Sequence, residues 1–283
     1  MQIVETIVEL QQVLRRWREA GENIAFVPTM GNLHAGHISL VNAAHSKARR
    51  VVVSIFVNPT QFGPEEDYDA YPRTLEADTQ QLREAKVDLL FLPTKKIMYP
   101  AGASTQIIVT GLSEHYCGAS RPGHFSGVAT VVAKLFNIVQ PDIALFGEKD
   151  FQQLTIIRKM VGDLNIPVIL QGIATVREAD GLALSSRNSY LTSDQRKIAP
   201  LLYQSLCQVK ARIMAGESDY ATIEAECCLT LKQAGFEPDY IAICREADLQ
   251  PAQANDTHLM VLAAARLGKP RLIDNIAAKA TKQ

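Results

Sequence analysis

Ile24-Ala25-Phe26-Val27-Pro28-Thr29-Met30-Gly31-Asn32-Leu33-His34-Ala35-Gly36-His37 is the stretch on which the reading of this chain turns. The apolar run Ile24–Val27 has the length and composition of a buried parallel strand. Pro28 is expected to stop it, because proline cannot donate to a sheet ladder and disfavours helix in the residue before it. Gly31 and Gly36 let the backbone turn and let a ligand lie against it. From His37 the apolar residues Ile38, Leu40, Val41 and Ala44 follow helical spacing. A strand, a glycine-bearing turn and a helix start make up the place where α/β proteins bind nucleotides, with free N–H groups and the positive end of the helix dipole facing an anion. His34 and His37 lie three residues apart, so both point into one site if the turn is already helical.

The alternation continues outward from there. An amphipathic helix over residues 4–20 carries Ile7, Leu10, Val13, Leu14 and Trp17 and precedes the focal strand; a helix over 37–48 follows it. Val51–Asn58 is a β-branched strand that ends in the polar loop Asn58-Pro59-Thr60-Gln61-Phe62-Gly63. Next come a charged helix over 75–86, a strand over 87–92, a weakly alternating segment 104–110 read as an edge strand, and a helix over 126–139. A strand over 143–146, a helix over 151–163 and a strand over 167–173 complete the pattern. Strand and helix alternating in this way predict a doubly wound parallel sheet. Beyond Arg177 the rhythm is lost. Helices over 193–214 and 219–234, then two strand-like runs at 240–244 and 258–264 followed by Arg271-Leu272-Ile273-Asp274-Asn275, predict a smaller α+β unit. The expected domains are therefore 1–176 and 177–283, in keeping with a length of 283 residues.

Composition excludes several classes of function. The net charge of −1 gives no support to a nucleic-acid or membrane-surface binder. No window approaches the roughly 18 apolar residues of a membrane span, and the acidic N-terminus M-Q-I-V-E-T does not read as a secretory signal. The five cysteines (117, 207, 227, 228 and 244) have neither C-x-x-C nor zinc spacing. They read as reduced thiols of a cytoplasmic protein.

Four loops fall at the carboxyl ends of predicted strands, where catalytic groups of α/β enzymes gather: 28–37, 58–63, 121–125 and 147–153. Gly147-Glu148-Lys149-Asp150 offers a lysine at a helix start, able to neutralise phosphate oxygens. Gln61, and Gln152 or Gln153, are uncharged groups suited to hydroxyls and a carboxylate. Ser185-Ser186-Arg187 sets two hydroxyls and a cation at the mouth of the second domain. Taken singly, each is an ordinary surface residue or helix cap.

Together these segments carry a resemblance. T-M-G-N-L-H-A-G-H is similar to the H-x-G-H signature of the nucleotidyltransferase superfamily, and Ser185-Ser186-Arg187-Asn188 to its second, mobile basic motif. V-N-P-T-Q-F, Y-P-R-T-L, R-P-G-H-F, F-G-E-K-D-F-Q-Q, D-G-L-A-L-S-S-R-N and R-L-I-D-N extend the likeness along nearly the whole chain. The full set resembles the pantoate–β-alanine ligase family. The chain departs from that pattern at Cys117, where the family commonly has an acidic residue, and in a shortened 102–113 segment.

The resemblance implies ATP-dependent joining of pantoate to β-alanine with magnesium, through a pantoyl adenylate, by a cytoplasmic homodimer. It implies His34, His37, Lys149, Ser185, Ser186 and Arg187 as the catalytic set. Met30, Gly31, Asn32, Leu33, His34, Ala35, Gly36, His37, Gly147, Glu148, Lys149, Asp150, Val176 and Leu184 would line the nucleotide, with the Ser185–Arg187 motif. Gln61, Gln153 and Asn58 would hold the other substrates, and Arg121 and His124 would lie near the phosphates or the covering loop. The magnesium ligands are left unassigned. An adenylyltransferase with a phosphate acceptor would need more cations than loop 58–63 provides. A tRNA-charging enzyme would need a basic extension, and a non-catalytic nucleotide sensor would share the fold without turnover.

Overall fold

The computed structural model describes residues 1–280 except 65 and 67. In chain order its elements begin with β1 (Gln2–Val4), α1 (Ile7–Glu19), β2 (Ile24–Thr29), α2 (Ala35–His45), β3 (Arg50–Ile55) and α3 (Leu75–Glu84). β4 (Leu89–Phe91), α4 (Lys95–Met98), α5 (Cys117–Ser120), α6 (His124–Val139), β5 (Ile143–Gly147), α7 (Phe151–Asp163) and β6 (Ile169–Ile173) follow. The remainder is α8 (Ser193–Ile198), α9 (Leu201–Met214), α10 (Tyr220–Gln233), β7 (Glu237–Arg245), β8 (His258–Arg266) and β9 (Arg271–Lys279).

β1 to β6 form one sheet in the order β1-β4-β3-β2-β5-β6, parallel throughout. Alternate residues of its central strands enter different cores. Ile24 and Phe26 of β2 join Leu10, Leu14, Phe136 and Leu154 on one face; Ala25 and Val27 join Val41, Leu82 and Leu145 on the other. A strand buried on both faces needs an unbroken apolar run, which is why 24–27 and 51–53 read as they do. Phe26 is fully buried, and such a side chain contributes roughly 2–3 kcal/mol relative to an exposed one.

The strand order reverses at β2, whose neighbours β3 and β5 lead the chain in opposite directions across the sheet. That reversal opens a crevice at the carboxyl ends of β2 and β5. Pro28 does not end β2, contrary to expectation: the strand runs through it to Thr29, in register with Ser54. The Thr29 carbonyl accepts from Phe56 N–H on the β3 side, so Pro28 faces the β5 side, where pairing already stops after Phe26. No ladder bond is lost there, and the missing N–H costs little.

The 104–110 segment forms no strand. Instead it lies along α6, where Ile107 N–H donates to Thr130 Oγ1 and Val109 joins the core. The sheet gains its extra strand at the other end, where three-residue β1 pairs with β4; a run so short carries little period-2 signal. The helix expected over 193–214 is divided into α8 and α9 at Pro200, whose ring cannot continue an interior helix.

The second sheet is antiparallel, β7-β8-β9, and is covered by α9 and α10. Leu206, Val209, Ile213, Ile223 and Leu231 pack there against Ile243, Val261 and Leu272. A small apolar joint of Phe151, Cys244, Leu249, Met260 and Leu262 connects this layer to the start of α7. Arg177, just after β6, forks onto Asp274 of β9 with contacts of 2.6 and 2.8 Å.

Candidate active site

The turn after β2 is shaped by a side chain from another helix. Gly31 has φ +82°, a region that favours glycine, and a Cβ there would lie 3.1 Å from Asp78 Oδ2. Asp78 of α3 is buried; its two carboxylate oxygens accept from Asn32 N–H at 2.9 Å and Leu33 N–H at 2.8 Å. The carboxylate thus takes the place of the ligand that free turn amides attract, and it sets the shape of the loop from below. Nothing in T-L-E-A-D-T-Q-Q separates this aspartate from the solvated charges of an ordinary helix, so sequence reasoning missed it.

His34 then caps α2, and its hydrogen bonds fix both histidine tautomers. Gly36 N–H donates to His34 Nδ1 at 3.1 Å, and His34 N–H donates to His37 Nδ1 at 3.3 Å. A backbone N–H only donates, so each Nδ1 is a lone-pair acceptor and each Nε2 carries the proton of a neutral ring. Burial, helped by the charge of Lys149, pulls the His34 pKa down to about 4; burial together with the neighbouring His34 pulls His37 down to about 3. The rings lie 4.2 Å apart, centroid to centroid. Two uncharged N–H donors result, and fixed positive charge at neutral pH must come from elsewhere.

Among the described residues Lys149 and Arg187 are the two cations on this cavity of about 240 Å3, which opens at the β2/β5 crevice. Lys149 Nζ lies 3.7 Å from Asp150 Oδ2, and the Arg187 guanidinium lies 5.9 Å from the centre of the Tyr71 ring. The second motif arrives from the opposite side. Ser185 Oγ caps the turn 186–190 by accepting from Arg187 N–H, so the helix-cap reading and the cavity-wall reading hold together. Ser186 Oγ donates to the Asn32 carbonyl at 3.1 Å, and this contact brings the motif onto the histidine turn.

The loop after β3 has its polarity set by a network. Asn58 is buried; its amide N–H groups donate to the Gly127 carbonyl and to Gln61 Oε1, each at 3.1 Å. Its oxygen accepts from Tyr99 O–H at 2.9 Å and from the Thr60 hydroxyl at 3.0 Å. Every group of the Asn58 amide is therefore engaged, and Gln61 must turn its own NH2 toward the cavity, where Met30 Sδ is a weak acceptor at 3.0 Å. A Cβ on Gly127 of α6 would strike the Thr60 carbonyl, so this close approach requires glycine. Behind the loop, Arg121 forks onto Glu66 with two contacts of 2.6 Å and donates to His124 Nε2 at 3.0 Å. His124 Nδ1–H donates in turn to the Gln61 carbonyl at 2.7 Å, and burial with Arg121 nearby lowers the His124 pKa to about 4.

The expected residues divide by position. Met30, His34, Gly36, His37, Asn58, Gln61, Gly147, Lys149, Asp150, Gln153, Val176, Leu184, Ser185, Ser186 and Arg187 all line the cavity. Gly31, Asn32, Leu33, Ala35 and Glu148 stand outside its wall. Leu33 is buried in the core, and the Glu148 carboxylate lies over Gly172 of β6. Arg121 and His124 line a smaller adjoining hollow with Lys149, Asp150 and Gln153. Of the two glutamines left open, Gln153 faces the cavity, while Gln152 is bound to the 112–117 loop through Cys117 N–H and the Leu112 and His115 carbonyls. Cys117 lies away from the main cavity; its Sγ receives Arg271 at 3.4 and 3.5 Å and sits 3.0 Å from Tyr240 Oη.

Apolar residues complete the wall: Phe56, Val128, Val131, Val132, Leu135 and Phe146. The arrangement is a crevice lined by neutral donors, two cations, an oriented amide and an apolar floor. Such a site holds a polyanion next to a small, partly apolar polar molecule.

Comparison with known proteins agrees with this geometry. The family described as pantoate-beta-alanine ligase matches residues 2–277. The chain is 58% identical to pantothenate synthetases of Methylococcus capsulatus and Pseudomonas aeruginosa, over 98% of its own length and 97% and 98% of theirs. The crystal structure of pantothenate synthetase from Thermus thermophilus superposes with a TM-score of 0.92 at 48% identity, covering 98% of this chain and 99% of that one. The Francisella tularensis pantoate-beta-alanine ligase, complexed with beta-gamma ATP and beta-alanine, gives 0.82 at 38% identity, with coverage of 98% and 97%.

Proposed function

Because the chain belongs to the pantoate-beta-alanine ligase family, we infer that it condenses pantoate with β-alanine at the expense of ATP, releasing AMP and pyrophosphate through a pantoyl adenylate. It is an AMP-forming ligase. The observation that carries the reading to this chain's own residues is the make-up of the cavity: neutral histidine donors, Lys149, Arg187 and the oriented Gln61 amide share one wall.

Pantoate's carboxylate is already ionised at neutral pH, so its attack on the α-phosphate needs charge stabilisation and alignment more than a base. We assign the Nε2–H groups of His34 and His37, the hydroxyls of Ser185 and Ser186, Lys149 Nζ and the Arg187 guanidinium to the phosphate oxygens. Gln61 turns N–H groups toward the cavity because Asn58 holds its oxygen, which suits it to pantoate's hydroxyl and carboxylate oxygens. Gln153 is its partner from α7. Asn58, with every amide group engaged, is assigned to orienting Gln61. The apolar floor suits pantoate's methyl groups and keeps water from the mixed anhydride.

Magnesium belongs to the same proposal. No cluster of three or more acidic, histidine or cysteine ligands stands among the described residues, and Asp78 is committed to backbone amides. Among the described residues Asp150 is the carboxylate on the cavity wall, which fits an ion carried on the triphosphate and held by one protein ligand. Bound there, it would neutralise phosphate charge. The division into a nucleotide- and pantoate-binding unit, 1–176, and a lid unit, 177–283, rests on the separate sheets and cores. Homodimer assembly rests on the family resemblance. A cytoplasmic site of action is favoured by five unpaired cysteines, and no described helix is long and apolar enough to cross a membrane. Product analysis tests the core of the reading. ATP, pantoate and β-alanine should yield pantothenate, AMP and pyrophosphate in equal amounts; formation of ADP would overturn it.

A further inference from the structure

The loop that carries Lys149 is held from the other sheet. Glu148–Asp150 forms a single 3-10 turn between β5 and α7, and neither the turn nor the start of α7 has a side-chain cap of its own. Asn275 of β9 supplies what they lack: its Nδ2 donates to the Glu148 carbonyl at 2.9 Å and to the Lys149 carbonyl at 2.8 Å. Both hydrogens of that amide are used on adjacent peptide groups.

Asn275 is itself fixed. It is buried, its backbone N–H donates to Asp274 Oδ1 at 2.8 Å, and Asp274 receives the fork of Arg177. Arg177 also lies 3.6 Å from the centre of the Tyr203 ring on α9. A continuous set of contacts thus runs from α9 through Arg177, Asp274 and Asn275 to the peptide groups on either side of the Lys149 Cα. Asn275 lines the smaller adjoining hollow with Lys149, Asp150 and Gln153. The Lys149 side chain is long and rich in rotamers, so its aim depends on where its main chain is held.

We propose that Asn275 is a positioning residue for the adenylation step, fixing the peptide groups at 148–149 so that Lys149 Nζ meets the phosphates only while the second sheet is docked. This rests on the assignment of Lys149 to the phosphates. It gives the smaller sheet a part in catalysis at a point distant from the Ser185–Arg187 motif. The energetic reason is geometric: an ammonium displaced by about 1 Å loses much of its stabilisation of a developing charge.

The test is a double-mutant cycle read by pantoate-dependent exchange of labelled pyrophosphate into ATP. Asn275→Asp keeps the shape but sets an acceptor against two carbonyls. It should lower the exchange kcat about 10- to 100-fold, move KM for ATP less than threefold, and leave the thermal midpoint within a few degrees. In a Lys149→Ala background the same substitution should change kcat by less than twofold, because its target is already gone. Should Asn275→Asp fail to fold, Asn275→Ala removes the donors without adding charge and reads the same cycle. Equal losses in both backgrounds, or a loss confined to KM, would overturn the proposal. An unimpaired Asn275 variant beside a strongly impaired Lys149→Ala would reject the proposal alone. Normal exchange by Lys149→Ala would reject the assignment of Lys149 on which it rests.

Discussion

Lowering the pH from 7.5 to 5.5 should leave both cavity histidines uncharged. With an ordinary pKa of about 6.5, each ring would be only about 9% neutral at pH 5.5, and both would be neutral together in about 1% of molecules. With His34 lowered to about 4 and His37 to about 3, about 97% of molecules keep both rings neutral. The difference is a factor of about 100 in the population able to offer two Nε2–H donors and two Nδ1 acceptors. Burial is the main cause, with Lys149 adding to it for His34 and His34 for His37, and a proton on either Nδ1 would also face a backbone N–H, at Gly36 or at His34. Long-range 1H–15N correlation of the histidine rings reads protonation and tautomer directly. Both resonance sets should stay in the Nε2–H form down to pH 5, while the rate of pantoate-dependent exchange per folded molecule keeps no inflection near 6.5. A midpoint near 6.5 for either ring, or an Nδ1–H tautomer, would refute the reasoning.

Folding stability should carry the opposite face of the same shifts. His34, His37 and His124 have folded pKa values below the unfolded one, so the unfolded chain binds more protons and stability falls as pH drops from about 6.5 toward 4. Three protons at about 1.4 kcal/mol per pH unit each give a slope near 4 kcal/mol per unit around pH 5, read by urea unfolding; a flat profile from pH 7 to 5 would contradict it. Lys149→Ala should cost roughly 3–4 kcal/mol of transition-state stabilisation, a 10²- to 10³-fold loss in kcat with the fold intact by circular dichroism. Near-normal turnover would mark Lys149 as a surface charge. Gln61→Glu keeps the oxygen that Asn58 holds and turns a second oxygen toward pantoate. KM for pantoate should rise roughly 100-fold, about 3 kcal/mol, with the ATP dissociation constant changed less than threefold. A selective loss of ATP binding by calorimetry would contradict the assignment.

How much of this was legible in the sequence depended on the range of the interaction. The central strands announced themselves because burial on both faces demands continuous apolar runs, and the loops at their ends followed from sheet geometry. Local periodicity could not show that Pro28 stays inside β2, because that depends on which neighbour its missing N–H would have faced. Nor could it show that 104–110 packs on α6 instead of pairing as a strand. In the site, the strand-end loops were located from sheet geometry, while the choice of residues on them came from the family resemblance. Asp78, Gly127, Tyr99 and Asn275 were not found, since each acts through a partner distant in the chain: Asn32 and Leu33, the Thr60 carbonyl, Asn58, and the Glu148 and Lys149 carbonyls. Asn58 was singled out as a site residue, but its full set of hydrogen bonds was not legible, because it exists only once α6 and Tyr99 are in place.

An acyl adenylate made before the amine arrives is the central claim, and isotope exchange tests it most directly. Given ATP, magnesium and pantoate without β-alanine, the enzyme should move labelled pyrophosphate into ATP, and an analogue of pantoate reduced to the alcohol should not support the exchange. Protein that binds ATP and forms pantothenate yet shows no pantoate-dependent exchange would contradict the account.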